Sequence, residues 1–263
     1  MSTTRDPIAE HGWTAVPVDP DAIFKGKPYL HKPSPFLVKD IHFPSDDPIV
    51  AKAQAYAEEH LPRQTYNHSM RVFYFGTFPL LPALPPPPLT HPLPATAILR
   101  DQFPSHRATL SPTTLALTAL LHDIGTAPAF LTSTLLSFEF HGAITALNLL
   151  SSPPHPAPTP QAEAVCEAII RHQDLGKEGT ITFLGQLIQL ATVYDNIGGR
   201  AYLVHEETRR DVNRAFRRDG WGGCFAATVR EEVRAKPWAH STHLGAEVFA
   251  NAVEGNLLMA EYE

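Results

Sequence analysis

The sequence predicts an all-α protein, and three observations carry that reading. Apolar residues recur at helical spacing in one segment after another. The segments open on acidic or hydroxyl residues followed by proline. No stretch alternates apolar and polar residues for long enough to demand a sheet.

Taken in order, residues 1–45 are rich in proline and turn formers and hold no sustained period. They read as an extended N-terminal arm that wraps a core, or as partly disordered chain. The helical body spans 46–263. It opens at Asp46-Asp47-Pro48, acids and a proline suited to a first turn, and Ile49, Ala53, Tyr56 and Ala57 share a face before Pro62 ends the helix. A second helix is expected over 65–78, with His68, Val72 and Phe75 at i, i+4 and i+7. Residues 79–94, centred on Pro85-Pro86-Pro87-Pro88, read as a surface loop, because prolines at this density favour polyproline II and remove backbone donors. A ligand for a proline-recognition domain is the less economical reading.

Ser111-Pro112 restarts a helix as N-cap and first helical residue. It carries Leu115, Ala119 and His122 on one face and stops at Gly125. Further helices are expected over 138–150, over 161–172 with Val165, Ile169 and His172 in line, and over 180–196 with Leu184, Ile188, Ala191 and Asp195 in line. A second proline-rich loop fills 151–160, and Gly198-Gly199 closes the helix before it. Weaker helices over 205–216 and 226–234 precede a terminal one from about residue 244, and no internal repeat is visible.

Composition narrows the function. At 43% hydrophobic, the 263 residues suffice for a sizeable core. Lys plus Arg number 21 against 27 Asp plus Glu, a net charge of −6, which argues against the broad basic surface that nucleic acid or anionic membrane requires. No run approaches the roughly 18 apolar residues of a membrane span, and the first thirty residues lack a signal-peptide core. Cys166 and Cys224 make no disulfide framework, so a reducing, cytoplasmic setting is expected.

Fourteen histidines are the unusual count. Four helices carry a His or Asp that continues an apolar stripe: His68, His122-Asp123, His172 and Asp195. An ionised carboxylate facing a core costs several kcal/mol unless a cation meets it. Converging imidazoles and carboxylates are most simply neutralised by a divalent ion. A lone core histidine is more often a hydrogen-bonded packing residue than a ligand. The adjacent pair His122-Asp123 shifts that balance, since at a helix end, just before Gly125, both side chains can reach one ion.

A His, then His-Asp, then Asp on successive helices is the order of the HD superfamily of helical metal-dependent enzymes. The segments Gly12-Trp-Thr-Ala-Val-Pro17, Thr65-Tyr-Asn-His-Ser-Met-Arg-Val72, Leu121-His-Asp-Ile-Gly-Thr126, Ala168-Ile-Ile-Arg-His172, Tyr194-Asp-Asn196 and Lys236-Pro-Trp238 resemble the cyanamide hydratases of fungi. The resemblance implies an HD-type helical bundle and a hydro-lyase that adds water to cyanamide to give urea. It also implies one zinc ion on His68, His122, Asp123 and Asp195, and it leans toward a homo-oligomer. Two neutral imidazoles and two carboxylates would suit that ion and leave a position for water or substrate.

Hydration must also deliver a proton to the nitrile nitrogen. The candidates are Asp123, His172 and Asn67, while Asn67, Thr126, His141 and His172 are expected near a small neutral substrate. His240 and His243 read as structural. His141 departs from the hydratase pattern, where an aromatic side chain is expected. With His172 it would supply the extra ligands of a binuclear phosphohydrolase or a di-iron oxygenase, so iron or a second metal is the alternative. Arg71 and Arg171, read as adjoining motif histidines one residue away, are expected to point about 100° away from them, leaving no converging cation for a phosphate substrate.

Overall fold

The computed structural model describes residues 6–77, 102–103, 105–106 and 109–263. The proline-dense stretch 79–94, expected as a surface loop, lies outside them. Among the described residues twelve α-helices form, joined by one two-stranded sheet. The expected all-α class holds.

The arm contributes α1 (Pro7–Glu10), strand β1 (Ala15–Pro17) and α2 (Pro20–Phe24), with Asp6 and Asp19 accepting hydrogen bonds from the first-turn amides of the two helices. The body begins with α3 (Pro48–His60), capped by Asp47 on the Ile49 amide and burying Ile49, Val50, Ala53 and Ala57. Helix α4 (Arg63–Gly76) starts straight after Pro62, and from Asn67 to Gly76 every side chain is buried. Helix α5 (Pro112–Leu121) is capped by Ser111 and buried from Thr114 onward. Helices buried on all sides belong at the centre of a bundle, and α4 packs there against α5 and against α9 (Phe183–Ile197). Around them lie α6 (Pro128–Leu131), α7 (Phe138–Ser151), α8 (Thr159–Arg171), α10 (Glu206–Ala215), α11 (Trp221–Ala235) and α12 (Ala246–Glu254).

The short helices α1, α2 and α6 fall outside the expected set, being too brief to show a period, and two further elements differ from expectation. The helix expected from residue 180 begins at Phe183, because Thr180–Thr182 forms strand β2, antiparallel to β1 with Val16 opposite Ile181. The β-branched run Thr-Ile-Thr favours extended backbone. The arm then completes the α9 N-terminus: the Phe183 and Leu184 amides, which no helical carbonyl can reach, donate to the carbonyls of Thr14 and Gly12. Gly12 is required there, since it sits at φ +74° and a Cβ would lie 2.9 Å from that of Leu184. Helix α11 also starts five residues earlier than the expected 226, because Gly222-Gly223 hides its first turn from periodicity.

One large apolar cluster joins α3–α5 and α7–α9. A smaller one, Trp221, Phe225, Val229, Phe249 and Val253, clips α12 onto α11. Each buried residue of that clip contributes about 1.5–3 kcal/mol of transfer free energy. No described helix is long and apolar enough to cross a membrane, and both cysteines are free thiols.

Candidate metal centre

The centre is built on the turn after α5. The helix ends at Leu121, and residues 124–126 tighten into a 3-10 turn in which the Thr126 amide and hydroxyl both donate to the Asp123 carbonyl, at 2.9 and 2.7 Å. Gly125 brings this turn against α7: a Cβ on it would sit 2.0 Å from the Phe138 carbonyl oxygen, and one on Gly142 would sit 2.9 Å from the Gly125 nitrogen. Two glycines facing each other therefore set how deep His122 and Asp123 lie.

His68, from the middle of α4, meets them in the core. Its Nε2 is 3.2 Å from His122 Nε2 and 3.6 Å from Asp123 Oδ2, and His122 Nε2 is 3.3 Å from the same oxygen. His172, just past α8, brings its Nε2 to 3.8 Å from Asp123 Oδ1. The tautomers follow from the partners. Carbonyls only accept, so His122 Nδ1 donates to Ala119 and His172 Nδ1 donates to Ile169. His68 Nδ1 donates to Asp195 Oδ2 at 2.6 Å. When the rings are neutral, each turns a bare Nε2 lone pair toward Asp123, whose own two oxygens accept no hydrogen bond.

That is a convergence of acceptors with no donor, wholly buried. Burial pulls His122 down, but the Asp123 carboxylate beside it pushes it up on balance. Asp123 is held below its ordinary range by His122, against the upward push of burial. A proton on His122 would answer one contact only. His68, His172 and one Asp123 oxygen would still face each other bare, and burial favours the neutral ring in both, pulling His68 down to about 4 and His172 below its usual value. A cation answers them all. His68, His122 and Asp123 offer ligand atoms within 4.8 Å of one another and could hold a metal ion.

Asp195 points inward from α9 as the stripe predicts, and its carboxylate lies behind the His68 ring. It accepts from Arg71 Nε and Nη2 and from Arg218 Nη1, each at 2.9 Å, besides His68. These guanidinium groups hold it well below the usual carboxylate range although burial works the other way. The expectation for Arg71 is thus corrected. It lies three positions beyond His68, about 300° round the helix and so within about 60° of the same face, and its side chain is buried on Asp195. Arg218 is a contributor that periodicity does not reveal, since it sits in the connection between α10 and α11. Trp221, equally hidden, stacks on His68 at 4.3 Å and donates to Asn196.

A narrow cleft of about 20 Å³ opens on the cluster. His122, Asp123 and His172 form its floor, and Gln173, Leu175, Thr192, Val193, Asn196, Leu244 and Phe249 its walls. The other residues expected at the substrate lie elsewhere. Asn67 donates its amide to the Arg217 carbonyl, Thr126 is engaged on the turn, and His141 packs edge-on against Phe130. His240 and His243 tie the chain after α11 to Glu139, Asp174 and the Gln173 carbonyl.

No protein-family model matches the sequence. Two proteins of Saccharomyces cerevisiae, the cyanamide hydratases DDI2 and DDI3, are each 34% identical to it over 238 residues, covering 90% of this chain and 93% of the relative. Likeness at that level along nearly the whole of both chains reaches far beyond a shared motif. The chain belongs to the cyanamide hydratase family.

Proposed function

We propose that the protein adds water across the carbon–nitrogen triple bond of cyanamide to give urea, at one zinc ion held by His68, His122, Asp123 and Asp195. The observation that carries this reading is the buried, donor-free convergence on Asp123. Asp195 is the fourth ligand that the HD-type resemblance implies. Its lone pairs are taken up by Arg71, Arg218 and His68, so joining the ion means releasing the His68 contact. Zinc bound there supplies Lewis acidity, lowering the pKa of a water ligand toward ~7 or polarising the nitrile.

The protein's own groups handle the proton. Water oxygen bonds to the nitrile carbon, one water proton goes to the nitrile nitrogen, and the isourea formed tautomerises to urea. His172 is neutral with Nε2 bare, so it can take a proton from the attacking water and return it to nitrogen. The free Asp123 oxygen facing it, 3.8 Å away, steers that transfer. Thr192 and Asn196 offer polar groups to the substrate, and none of the cleft-lining residues is Lys or Arg. Arg71 and Arg218 are spent on Asp195, which favours a small neutral substrate over a phosphate ester. The gathered ligand atoms support one ion, while His141 packs on Phe130. Cytoplasmic residence and a homo-oligomer belong to the same proposal, resting on the free thiols and on the family.

Elemental analysis with a urea assay on one sample tests the proposal. About one zinc per chain and urea released from cyanamide are expected. A metal-free protein that turns cyanamide over at full rate would overturn the metal assignment, and a zinc-loaded protein that releases no urea would overturn the substrate.

A further inference from the structure

The cleft at the His-Asp cluster has a larger neighbour. A second hollow of about 190 Å³ lies along α9, bounded by Val18, Pro20, Gln186, Gln189, Leu190 and Arg200. Leu175 and Val193 stand in the walls of both. The inner space is small and floored by chemistry, and the outer space is wider with a mostly apolar wall.

Both dividing residues stand on backbone that the fold holds. Val193 is on α9, where Gly199 leaves it room: a Cβ on that glycine would lie 2.5 Å from Val193 Cγ1. Leu175 is on the loop between α8 and β2, and its side chain is only partly covered by the protein. Gln189 pins that loop from α9 by donating to the carbonyls of Arg171 and Asp174, at 2.9 and 3.1 Å. His243 pins it from the opposite side through the Gln173 carbonyl at 2.9 Å. A loop tied at both sides places an apolar side chain as a wall.

We infer that Leu175 and Val193 are the specificity-determining residues of the reaction, closing the inner cleft against substituents on the amino nitrogen of cyanamide. The inference rests on the hydratase reading. With the nitrile end turned to Asp123 and His172, the amino end faces these two side chains. Cyanamide carries only hydrogens there and fits inside them. An N,N-dialkylcyanamide undergoes the same balanced hydration, to an N,N-dialkylurea, but its alkyl groups must occupy the volume that Leu175 and Val193 fill. Shortening either side chain joins the inner cleft to the outer hollow, whose apolar wall would accept those groups.

The experiment compares diethylcyanamide with cyanamide in the zinc-loaded parent, Leu175→Ala, Val193→Ala and Leu175→Phe proteins. The kcat/KM ratio of diethylcyanamide to cyanamide is expected to rise about 10-fold in each alanine variant, the scale on which an apolar pocket discriminates size, and to fall in Leu175→Phe. Calorimetric binding of the same two compounds to the metal-free proteins reads the same wall without turnover, and unchanged helical circular dichroism certifies each variant. A ratio that stays within about twofold of the parent in both alanine variants, by turnover and by binding, overturns the inference. Absence of urea from the parent protein is a separate failure, of the hydratase reading, because the binding ratio still reports the wall.

Discussion

Two carboxylates lie on either side of the His68 ring and are treated in opposite ways. Asp195 receives two guanidinium groups and one imidazole N–H, and Arg218 is itself held by Glu263 at 2.6 Å. Asp123 receives nothing. Both are fully buried, so desolvation penalises each charge alike. Asp195 is compensated by groups the chain carries permanently. Asp123 faces three imidazole nitrogens of which only His122, raised by the carboxylate itself, is suited to carry a proton, so most of the gathered acceptors stay unanswered until something outside the chain enters. The comparison separates a charge already met inside the chain, which must give up His68 to reach an ion, from one that is open to an ion as it stands.

The largest effect should come from Asp123. In Asp123→Ala and His122→Ala, zinc content and urea formation should both fall to background. Metal-free Asp123→Ala should melt close to the metal-free parent, because the buried acceptor it removes has no hydrogen-bond donor, whereas metal-free His122→Ala should melt lower, having lost a buried ring and its bond to the Ala119 carbonyl. A chelator should lower the melting temperature of the parent and leave that of Asp123→Ala unmoved. Stoichiometric zinc in both variants would break the comparison at its centre. Arg218→Leu is the converse experiment. It strips Asp195 of a partner and leaves a buried charge short of compensation, so unfolding free energy should drop by about 3–5 kcal/mol in urea melts, with or without zinc. A drop seen only in the loaded protein would show that Arg218 acts through the metal instead.

The same contrast explains what the chain reveals before it folds. Asp123 and Asp195 are legible because each extends a visible pattern: a His-Asp pair at a helix stop in one case, and Leu184, Ile188 and Ala191 at helical spacing in the other. Gly125 is legible as a stop, but not as the point where the turn touches α7, since that depends on Gly142 across the fold. The partners of Asp195 are harder to read. Arg71 is missed when neighbours of a histidine are assumed to diverge, although the i, i+3 relation to His68 places both on one face. Arg218 lies in a connection with no period, and what aims it is a carboxylate 23 positions earlier. Strands of three residues fall below what alternation can detect, so the arm's pairing with Thr180–Thr182 emerges only in three dimensions.

His172 sharpens the comparison at intermediate size, because it faces Asp123 without belonging to the close ligand cluster. Replacing it by Gln should keep zinc and lower kcat by about 10²–10⁴-fold. Burial, and then His122, hold the His172 pKa below its ordinary 6.5. Its base form is therefore present at neutral pH, and activity of the parent should fall only on the acid side, below pH 6.5. His172→Gln should lose that acid limb. An unchanged rate would reduce the residue to packing.

The smallest effect concerns a carboxylate treated in a third way. Glu139 is fully buried on α7, with Oε1 3.2 Å from His240 Nδ1 and Oε2 without a partner, so it is half compensated. The hydrogen bond to Glu139 raises His240 above its usual value, with Asp174 and Glu232 acting in the same direction and burial opposing them. A histidine whose folded pKa exceeds its unfolded value contributes stability that is complete below the unfolded value of 6.5 and is lost as pH climbs through the folded one. His240 is a quarter exposed, which limits the contribution to on the order of 1 kcal/mol. Between pH 6 and pH 8 the parent should therefore lose about that much more stability than His240→Gln in paired urea melts. An equal loss in both proteins would mean that Glu139 is compensated from elsewhere, leaving Asp123 as the one carboxylate of the three with neither oxygen hydrogen-bonded in the metal-free chain.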